Sequence, residues 1–220
     1  MCGRYTLAKP SKTIKDHFDP ISIEISHKER YNIAPTQEAP VVLNSEDSRK
    51  LVGMRWGLIP PWVKEKKSAT PLINARSETV QQKPAFKNSF RNHRCLVPAD
   101  GFIEWIRGEK AKTPCYIYMK PETLFAFAGI WSLWNGEQPA LKTFSILTTE
   151  ANSLLKPIHH RMPVILKSAQ YNTWLDPETG DDTLLSMLLP YSTEGINTQT
   201  ISREINSPKN DHPGCLAPVS

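Results

Sequence analysis

Short apolar or alternating runs dominate the chain, and this pattern favours strands over long helices. Residues 40–44 and 50–59 form two such runs around a polar segment, residues 45–48, which is typical of a hairpin turn. A second series begins at residue 94, and polar stretches such as residues 107–114 separate its members. We predict its strands at residues 94–100, 101–106, 115–119, 124–131 and 143–149. Such spacing is typical of antiparallel hairpins.

Helical signals are confined to short segments. The predicted helices lie at residues 11–18, 168–175 and 183–189, with a partly helical stretch at residues 77–90. Ser11 and Ser77 are candidate helix caps, and Pro84 is expected to break the stretch that contains it. A last strand is predicted at residues 199–206. Together these elements predict an α+β fold, in which short helices surround a mostly antiparallel sheet system.

Composition adds a basic bias to this picture. The net charge is +5 and the pI is about 9.0, with 39% hydrophobic residues and nineteen prolines against ten glycines. Residues 1–110 hold 19 Lys and Arg against 12 Asp and Glu, whereas residues 111–220 hold 8 against 10. A basic half suggests a polyanionic partner, such as nucleic acid or an anionic surface.

The four cysteines give no sign of a zinc site. None of them forms a C-x-x-C pair, so we expect no structural metal. The first residues lack the apolar core of a secretory signal, and no run of about 18 apolar residues is present to span a membrane. We therefore expect free thiols in a reducing cytoplasm.

The MCGR sequence at the amino terminus holds a candidate nucleophile. Removal of Met1 would leave Cys2 with a free α-amine beside its thiol. An α-amine has a pKa of about 7.7–8.0, so a good fraction is nucleophilic at neutral pH. With an aldehyde, such as that of a ring-opened abasic site in DNA, the amine forms a Schiff base and the thiol closes a thiazolidine ring. The alternative is that Cys2 is an incidental residue of a disordered tail.

Six motifs follow one another along the chain. They are MCGRYT at the amino terminus, YNIAPTQ (31–37), RWGLIPPW (55–62), INARSET (73–79), RCLVPADGFIEW (94–105) and IHHRMPVIL (158–166). Together they resemble the SOS response-associated peptidase (SRAP) family, from residue 2 to about residue 210. Members of this family shield abasic sites in single-stranded DNA through a DNA–protein crosslink. The resemblance implies one SRAP domain over residues 1–220, a barrel-like core, and neither metal nor organic cofactor.

The resemblance also implies four catalytic residues, with Cys2 as the nucleophile. Asn74 is expected to hydrogen-bond the Cys2 amine or a developing oxyanion, the alternative being a turn residue bonded to its own backbone. Glu104 is expected to have a raised pKa and to exchange protons, the alternative being an outward-facing strand residue. His159 is expected to protonate the sugar ring oxygen, the alternative being an exposed loop histidine.

Two positions depart from the family pattern. His160 stands where the family usually has an aspartate, so two adjacent histidines compete for one role, and the pKa of His159 is expected to be lower. Val63 stands where a second aromatic residue often follows Trp62, so one family stacking surface lacks its usual residue.

Six DNA-binding residues complete what the resemblance implies. Guanidinium groups suit phosphate oxygens, although structural ion pairs are the alternative. Tryptophans and a proline would stack on bases or wedge the strand, although core packing is the alternative. The implied set is Arg4, Pro35, Trp62, Arg76, Trp105 and Arg161.

The predicted function is therefore a thiazolidine crosslink between Cys2 and abasic sites in single-stranded DNA, within the DNA damage response. We expect a cytoplasmic monomer that joins the nucleoid when bound to DNA, with no membrane or metal partner. Two alternatives stay open. One is a thiol peptidase that uses Cys2, Glu104 and His159, for self-processing or for other peptides, whereas lyase-type activity would accompany the crosslinking enzyme itself. The other is a non-catalytic reader of modified bases, which needs a basic cleft but no free Cys2 amine.

Overall fold

A computed structural model describes residues 2–18, 21–44, 49–65, 70–108 and 111–219. The turn predicted at residues 45–48 lies outside these ranges, as do parts of the polar segments at residues 60–71 and 107–114. Among the residues described, no helix has the length and apolar character needed to cross a membrane.

Five strands form the smaller sheet. They are β1 (Tyr5–Leu7), β3 (Arg30–Ile33), β8 (Gly101–Arg107), β9 (Lys112–Met119) and β14 (Ile196–Thr200). The strands lie in the order β14-β9-β8-β1-β3, and all of these pairs are antiparallel. Through the β1–β8 pairing, this sheet places the first residues of the chain beside residues from the middle of the chain.

Nine strands form the larger sheet. They are β2 (Ile21–Ile23), β4 (Glu38–Asn44), β5 (Arg49–Trp56), β6 (Asn74–Arg76), β7 (Arg94–Ala99), β10 (Phe125–Trp134), β11 (Leu141–Glu150), β12 (Arg161–Pro163) and β13 (Ile165–Leu166). The main path runs β12-β11-β10-β7-β4-β5-β2. A parallel pairing between β11 and β5 closes five of these strands into a barrel. The predicted α+β fold with a barrel-like core is confirmed.

Aromatic side chains fill the core and join the two sheets. Tyr5 from β1 packs edge-on against Trp56 and Phe127, with ring centroids 5.1 and 5.9 Å apart. Trp56 in turn stacks on Phe144 at 6.4 Å. All four rings are fully buried. Each such burial stabilises the fold by about 1.5–3 kcal/mol, which anchors β1, and the residues before it, to the barrel.

The helices are short, as predicted, and lie outside the sheets. They are α1 (Ser11–Phe18), α2 (Pro84–Asn92), α3 (Tyr171–Leu175) and α4 (Asp181–Ser186), with 3-10 turns at Ser77–Thr79, Ser168–Gln170, Arg203–Asn206 and Pro213–Leu216.

Several local predictions were wrong. Pro84 begins α2 rather than breaking a helix, because a proline at the first helical position loses no hydrogen bond. Ser77 is the first residue of its 3-10 turn, and Arg76 occupies the cap position without a side-chain bond. The strand predicted through residue 59 ends at Trp56, since Gly57 takes a φ of +123° that turns the chain.

The segment predicted as one strand at residues 199–206 divides in two. Strand β14 ends at Thr200, and a 3-10 turn begins at Arg203. The Ser202 side chain accepts a hydrogen bond from the Glu204 amide, which caps this turn and ends the extended conformation.

Candidate active site

Cys2 lies just before β1 and is fully buried. The Ile103 amide donates a hydrogen bond to the Arg4 carbonyl oxygen at 2.9 Å, which extends the β1–β8 pairing towards the amino terminus. Continued by one residue, this register places Gly3 opposite Glu104 of β8, and the Glu104 carboxyl group lies close enough to act electrostatically on the Cys2 thiol. The expectation of an incidental residue in a disordered tail therefore does not describe Cys2.

Glu104 is a buried carboxyl group, only 5% exposed. Burial raises its pKa from the ordinary 4.5 to about 7, the direction expected for Glu104 from the family resemblance. Burial also raises the pKa of the Cys2 thiol, and the negative charge of Glu104 raises it further. The site thus pairs a thiol that stays neutral with a carboxyl group that gains and loses its proton near pH 7.

Asn74 fixes the backbone of Cys2. It is the first residue of β6, which runs parallel to β11 and places Asn74 beside Ile146. Its side-chain amide donates to the Cys2 carbonyl oxygen at 2.9 Å. Its Oδ1 is buried and has no hydrogen-bond partner among the described residues. The Asn74 side chain therefore bonds Cys2 rather than the backbone of its own turn. Its Oδ1 remains as a hydrogen-bond acceptor on the same side chain.

His159 and His160 occupy different environments. His159 is half-buried, and its Nδ1 accepts a hydrogen bond from the Arg161 amide at 3.0 Å. His160 is exposed, and its ring stacks on that of His159 with centroids 4.4 Å apart. Burial lowers the pKa of His159, and the neighbouring charges of His160 and Arg107 lower it further. The main cause of this lower pKa is burial, whereas the expectation rested on the aspartate that His160 replaces, so the effect of that replacement stays a prediction.

Arg161 and Arg76 differ in what they contact. Arg161 is buried, and its guanidinium donates two hydrogen bonds to the Glu78 carboxylate at 2.7 and 2.9 Å and a third to the Thr148 carbonyl at 2.6 Å. Arg76 is exposed on β6. The Arg161 guanidinium is thus engaged in an ion pair with Glu78, whereas the Arg76 side chain is exposed to solvent.

Arg4 is also held by protein groups. Its Nη1 donates to Asn32 Oδ1 at 2.6 Å and to the Ile205 carbonyl at 2.7 Å. The guanidinium carbon lies 5.6 Å from the Trp105 ring centroid, and the Trp105 indole donates to Asn206 Oδ1 at 2.8 Å. Arg4 and Trp105 therefore form one cluster with the segment around residues 205–206.

Trp62 is the most exposed of the implied stacking residues, with 60% of its surface accessible. It lies in the loop after β5, where the next residue, Val63, accepts a hydrogen bond from the Trp134 indole through its carbonyl oxygen at 2.6 Å. That bond ties the loop to the barrel. Pro35 is half-buried, in the turn before β4.

Three supporting residues escaped the sequence reasoning. Glu78 and Asn32 belong to the INARSET and YNIAPTQ motifs, so their place in the motifs was the available signal. Asn206 lies outside all six motifs. Each bonds a side chain that the motifs did single out, namely Arg161, Arg4 or Trp105.

Comparisons with known proteins show which family the chain resembles. The family model "SOS response associated peptidase (SRAP)" matches residues 1–208. The chain is 43% identical over 216 residues to abasic site processing protein YoaM of Bacillus subtilis, covering 96% of this chain and 95% of that protein. It is 32% identical over 228 residues to abasic site processing protein HMCES of Gallus gallus, covering 88% of this chain and 67% of that protein.

A solved structure has the same fold. A Bacteroides thetaiotaomicron protein superposes with a TM-score of 0.90 at 28% identity, covering the whole of both chains. Because the family model spans nearly the full length and several relatives exceed 30% identity, the chain belongs to the SOS response-associated peptidase (SRAP) family.

Proposed function

We propose that this protein processes abasic sites in DNA by joining Cys2, freed by removal of Met1, to the ring-opened sugar in single-stranded DNA. The observation that carries the proposal is the placement of buried Cys2 between the Asn74 amide and a Glu104 carboxyl group with a pKa of about 7. The names of the relatives, abasic site processing proteins, support this substrate.

The α-amine of Cys2 attacks first. The thiol is buried beside a carboxyl group that raises its pKa, so it stays protonated at neutral pH. An α-amine with a pKa of about 7.7–8.0 is partly neutral there and adds to the aldehyde carbon. In this proposal Asn74 Oδ1, which is buried without a hydrogen-bond partner among the described residues, accepts a hydrogen bond from this amine, while the Asn74 amide nitrogen holds the Cys2 carbonyl.

Loss of water then gives a Schiff base, and the thiol closes the ring. The C–S bond forms at the imine carbon, the thiol proton is lost, and the imine nitrogen takes up a proton to become the ring amine. No oxidant or reductant is needed. The product is a five-membered thiazolidine that links the sugar to the chain.

Glu104 and His159 move the protons in these steps. A carboxyl group with a pKa of about 7 is present in both forms at neutral pH, so Glu104 accepts the amine proton and returns one to the departing hydroxyl. The pKa of His159 is lowered, so the imidazolium is an acidic donor for the sugar ring oxygen and favours the open aldehyde.

The surface around the site holds the DNA strand. Arg76 is exposed and suits a phosphate, and Trp62 presents an aromatic face on which a base can stack. We assign Pro35, half-buried in the turn before β4, the role of a wedge against the strand. Trp105 is partly exposed and stands over Arg4. We assign Arg4 and Arg161 to the DNA-binding surface as well. Because Arg4 bonds the Ile205 carbonyl and Arg161 bonds the Glu78 carboxylate, each of them also positions the segment that it holds.

One gel separates this proposal from its alternatives. The processed protein is incubated with a single-stranded oligonucleotide that holds one abasic site, and the mixture is boiled in SDS. We expect a shifted band that is absent with Cys2→Ala and absent when a tetrahydrofuran analogue, which has no aldehyde, replaces the lesion. If mass spectrometry shows that the protein lacks Met1 and the shifted band is still absent, the proposal is refuted.

The alternatives give different results in the same experiment. A shift in native gels alone indicates a reader of modified bases. Cleavage of added peptides without a DNA adduct indicates a thiol peptidase. Strand cleavage at the lesion alongside the adduct indicates lyase-type activity from the same Schiff base.

A further inference from the structure

The segment after β14 brings together three side chains that the mechanism does not use. Glu204 lies in the 3-10 turn Arg203–Asn206, and His212 and Cys215 belong to the turn Pro213–Leu216 and its cap. One ligand atom from each of the three lies within 4.8 Å of the other two. His212 Nε2 is 3.6 Å from Glu204 Oε2.

The three side chains differ in exposure: one is buried, and the other two are exposed to solvent. Cys215 is fully buried, packed with Ile103, Ile201 and Ile205. Glu204 and His212 are exposed and have room to adjust. The thiol therefore offers its sulfur from a rigid position, and the two outer side chains approach it from the solvent side.

Gly214 leaves the space that the cluster needs. A Cβ built on Gly214 would lie 3.0 Å from His212 Nδ1 and 3.7 Å from Glu204 Oε2. A contact of 3.0 Å is tighter than nearly all Cβ contacts, so a side chain here would require the imidazole to move by a few tenths of an ångström. The glycine thus lets His212 and Glu204 converge over Cys215.

We propose that Glu204, His212 and Cys215 form a binding site for a divalent transition metal of the zinc class. Thiolate, imidazole and carboxylate are the ligands that zinc prefers, at about 2.3 Å for sulfur and about 2.0–2.2 Å for nitrogen and oxygen. Those bond lengths require the donor atoms to lie about 3.3–3.8 Å apart, so shifts of about 1 Å close the observed cluster. Water completes the fourth position.

The ligand spacing at this site differs from the C-x-x-C spacing on which the sequence prediction about zinc was based. The absence of C-x-x-C pairs led us to expect no structural zinc, but His212 and Cys215 form an H-x-x-C pair. Glu204 joins this pair only because the two 3-10 turns pack together. Two ionised ligands, thiolate and carboxylate, balance the charge of a divalent cation.

A metal there would stiffen the segment that supports Arg4 and Trp105. Ile205 and Asn206 follow Glu204 directly, and they accept hydrogen bonds from Arg4 and from the Trp105 indole. Binding of a ligand to the folded chain alone raises its thermal stability. The expected role is therefore a staple that holds this segment against the smaller sheet.

The test uses Co²⁺ and Zn²⁺ with a Cys2→Ala chain, because the amine and thiol of Cys2 would also bind these ions. We expect one Co²⁺ per chain with a thiolate-to-metal absorption band, displacement by Zn²⁺, and a Tm that rises with Zn²⁺. Adding Cys215→Ala should abolish the band and the Tm rise. Loss of an outer-shell partner alone costs about 10–100-fold in affinity, so His212→Gln and Glu204→Gln should each weaken binding at least 10-fold.

Two further variants sharpen the result. Gly214→Ala should weaken Co²⁺ binding without removing a ligand, and His160→Gln, a change to an exposed histidine outside the cluster, should leave it unchanged. Since His212 is exposed, His212→Gln should fold even if Cys215→Ala does not. Unchanged affinity in His212→Gln, or Co²⁺ bound without a thiolate band, would overturn the proposal.

Discussion

The Cys2–Asn74–Glu104 group and the outer surface formed by Trp62 and Arg76 are built in opposite ways. The first is enclosed: Cys2 is fully buried, Glu104 is 5% exposed, and the carbonyl of Cys2 is bonded to Asn74. The second is open: Trp62 is 60% exposed and Arg76 lies on the surface. One region alters the acidity of its groups through burial, and the other leaves its groups in water.

This difference follows from what each region has to do. Proton transfer near neutral pH needs a carboxyl group whose charged form is disfavoured, and only removal from water supplies that. A strand of DNA needs groups that it can reach, with charge and aromatic faces presented outward. We therefore expect changes in the enclosed group to affect the rate of crosslinking, and changes in the open surface to affect affinity.

The largest expected effect is that of Glu104→Gln on the rate of crosslinking. The substitution keeps the shape of the side chain and removes its ability to exchange a proton, so we expect a fall of about 10²-fold or more. Time courses of adduct formation with saturating DNA measure it, and Glu178→Gln, a change to an exposed acid, is the control. A fall of less than about threefold would mean that proton transfer by Glu104 does not limit the rate of crosslinking.

The second largest expected effect is that of His159→Ala, which should lower the rate of adduct formation or release about 10²-fold. His160→Ala should change it severalfold at most, because His160 is exposed and contacts His159 only by ring stacking. Parallel rates of formation and reversal for the two variants decide between them. Equal losses would reverse our assignment of the acid to His159.

Changes on the open surface should reduce affinity without changing the rate of the bound complex. Trp62→Ala removes a stacking face, which is worth about 1–3 kcal/mol per base. Arg76→Ala should weaken binding uniformly and reduce the salt slope by about 1. Fluorescence anisotropy with an oligonucleotide that lacks an abasic site, at several salt concentrations, measures both. An unchanged salt slope would show that Arg76 does not contact a phosphate.

The smallest expected effect is on the pH dependence of stability. The pKa of Glu104 is raised in the folded state, so the folded chain holds a proton that the unfolded chain releases between about pH 4.5 and 7. Stability is therefore lost as the pH rises through this window. Glu104→Gln should match the wild type at pH 4.5 and exceed it by about 1–3 kcal/mol at pH 8. Urea unfolding at the two pH values measures this difference, and an equal gain at both would contradict it.

The strand pattern was largely readable from the sequence. Strand β4 and helix α1 lie where alternation and helical periodicity placed them. The three-residue strands β1, β6 and β12 went unseen as strands, because three residues are too few to display a period. Yet these short strands carry Arg76 and Arg161 and lie directly beside Cys2 and His159. The parts of the fold nearest the site were thus the hardest to predict.

The sequence by itself determined the family, the motif residues and the α+β class, because these depend on residue identity and order. Only the tertiary structure decided that Cys2 meets Asn74 and Glu104, that the Arg161 guanidinium is bound by Glu78, and that His212 and Cys215 meet Glu204. The physical reason is that these meetings depend on strand pairing and turn packing between distant segments. Acidity likewise depends on burial, which no local pattern specifies.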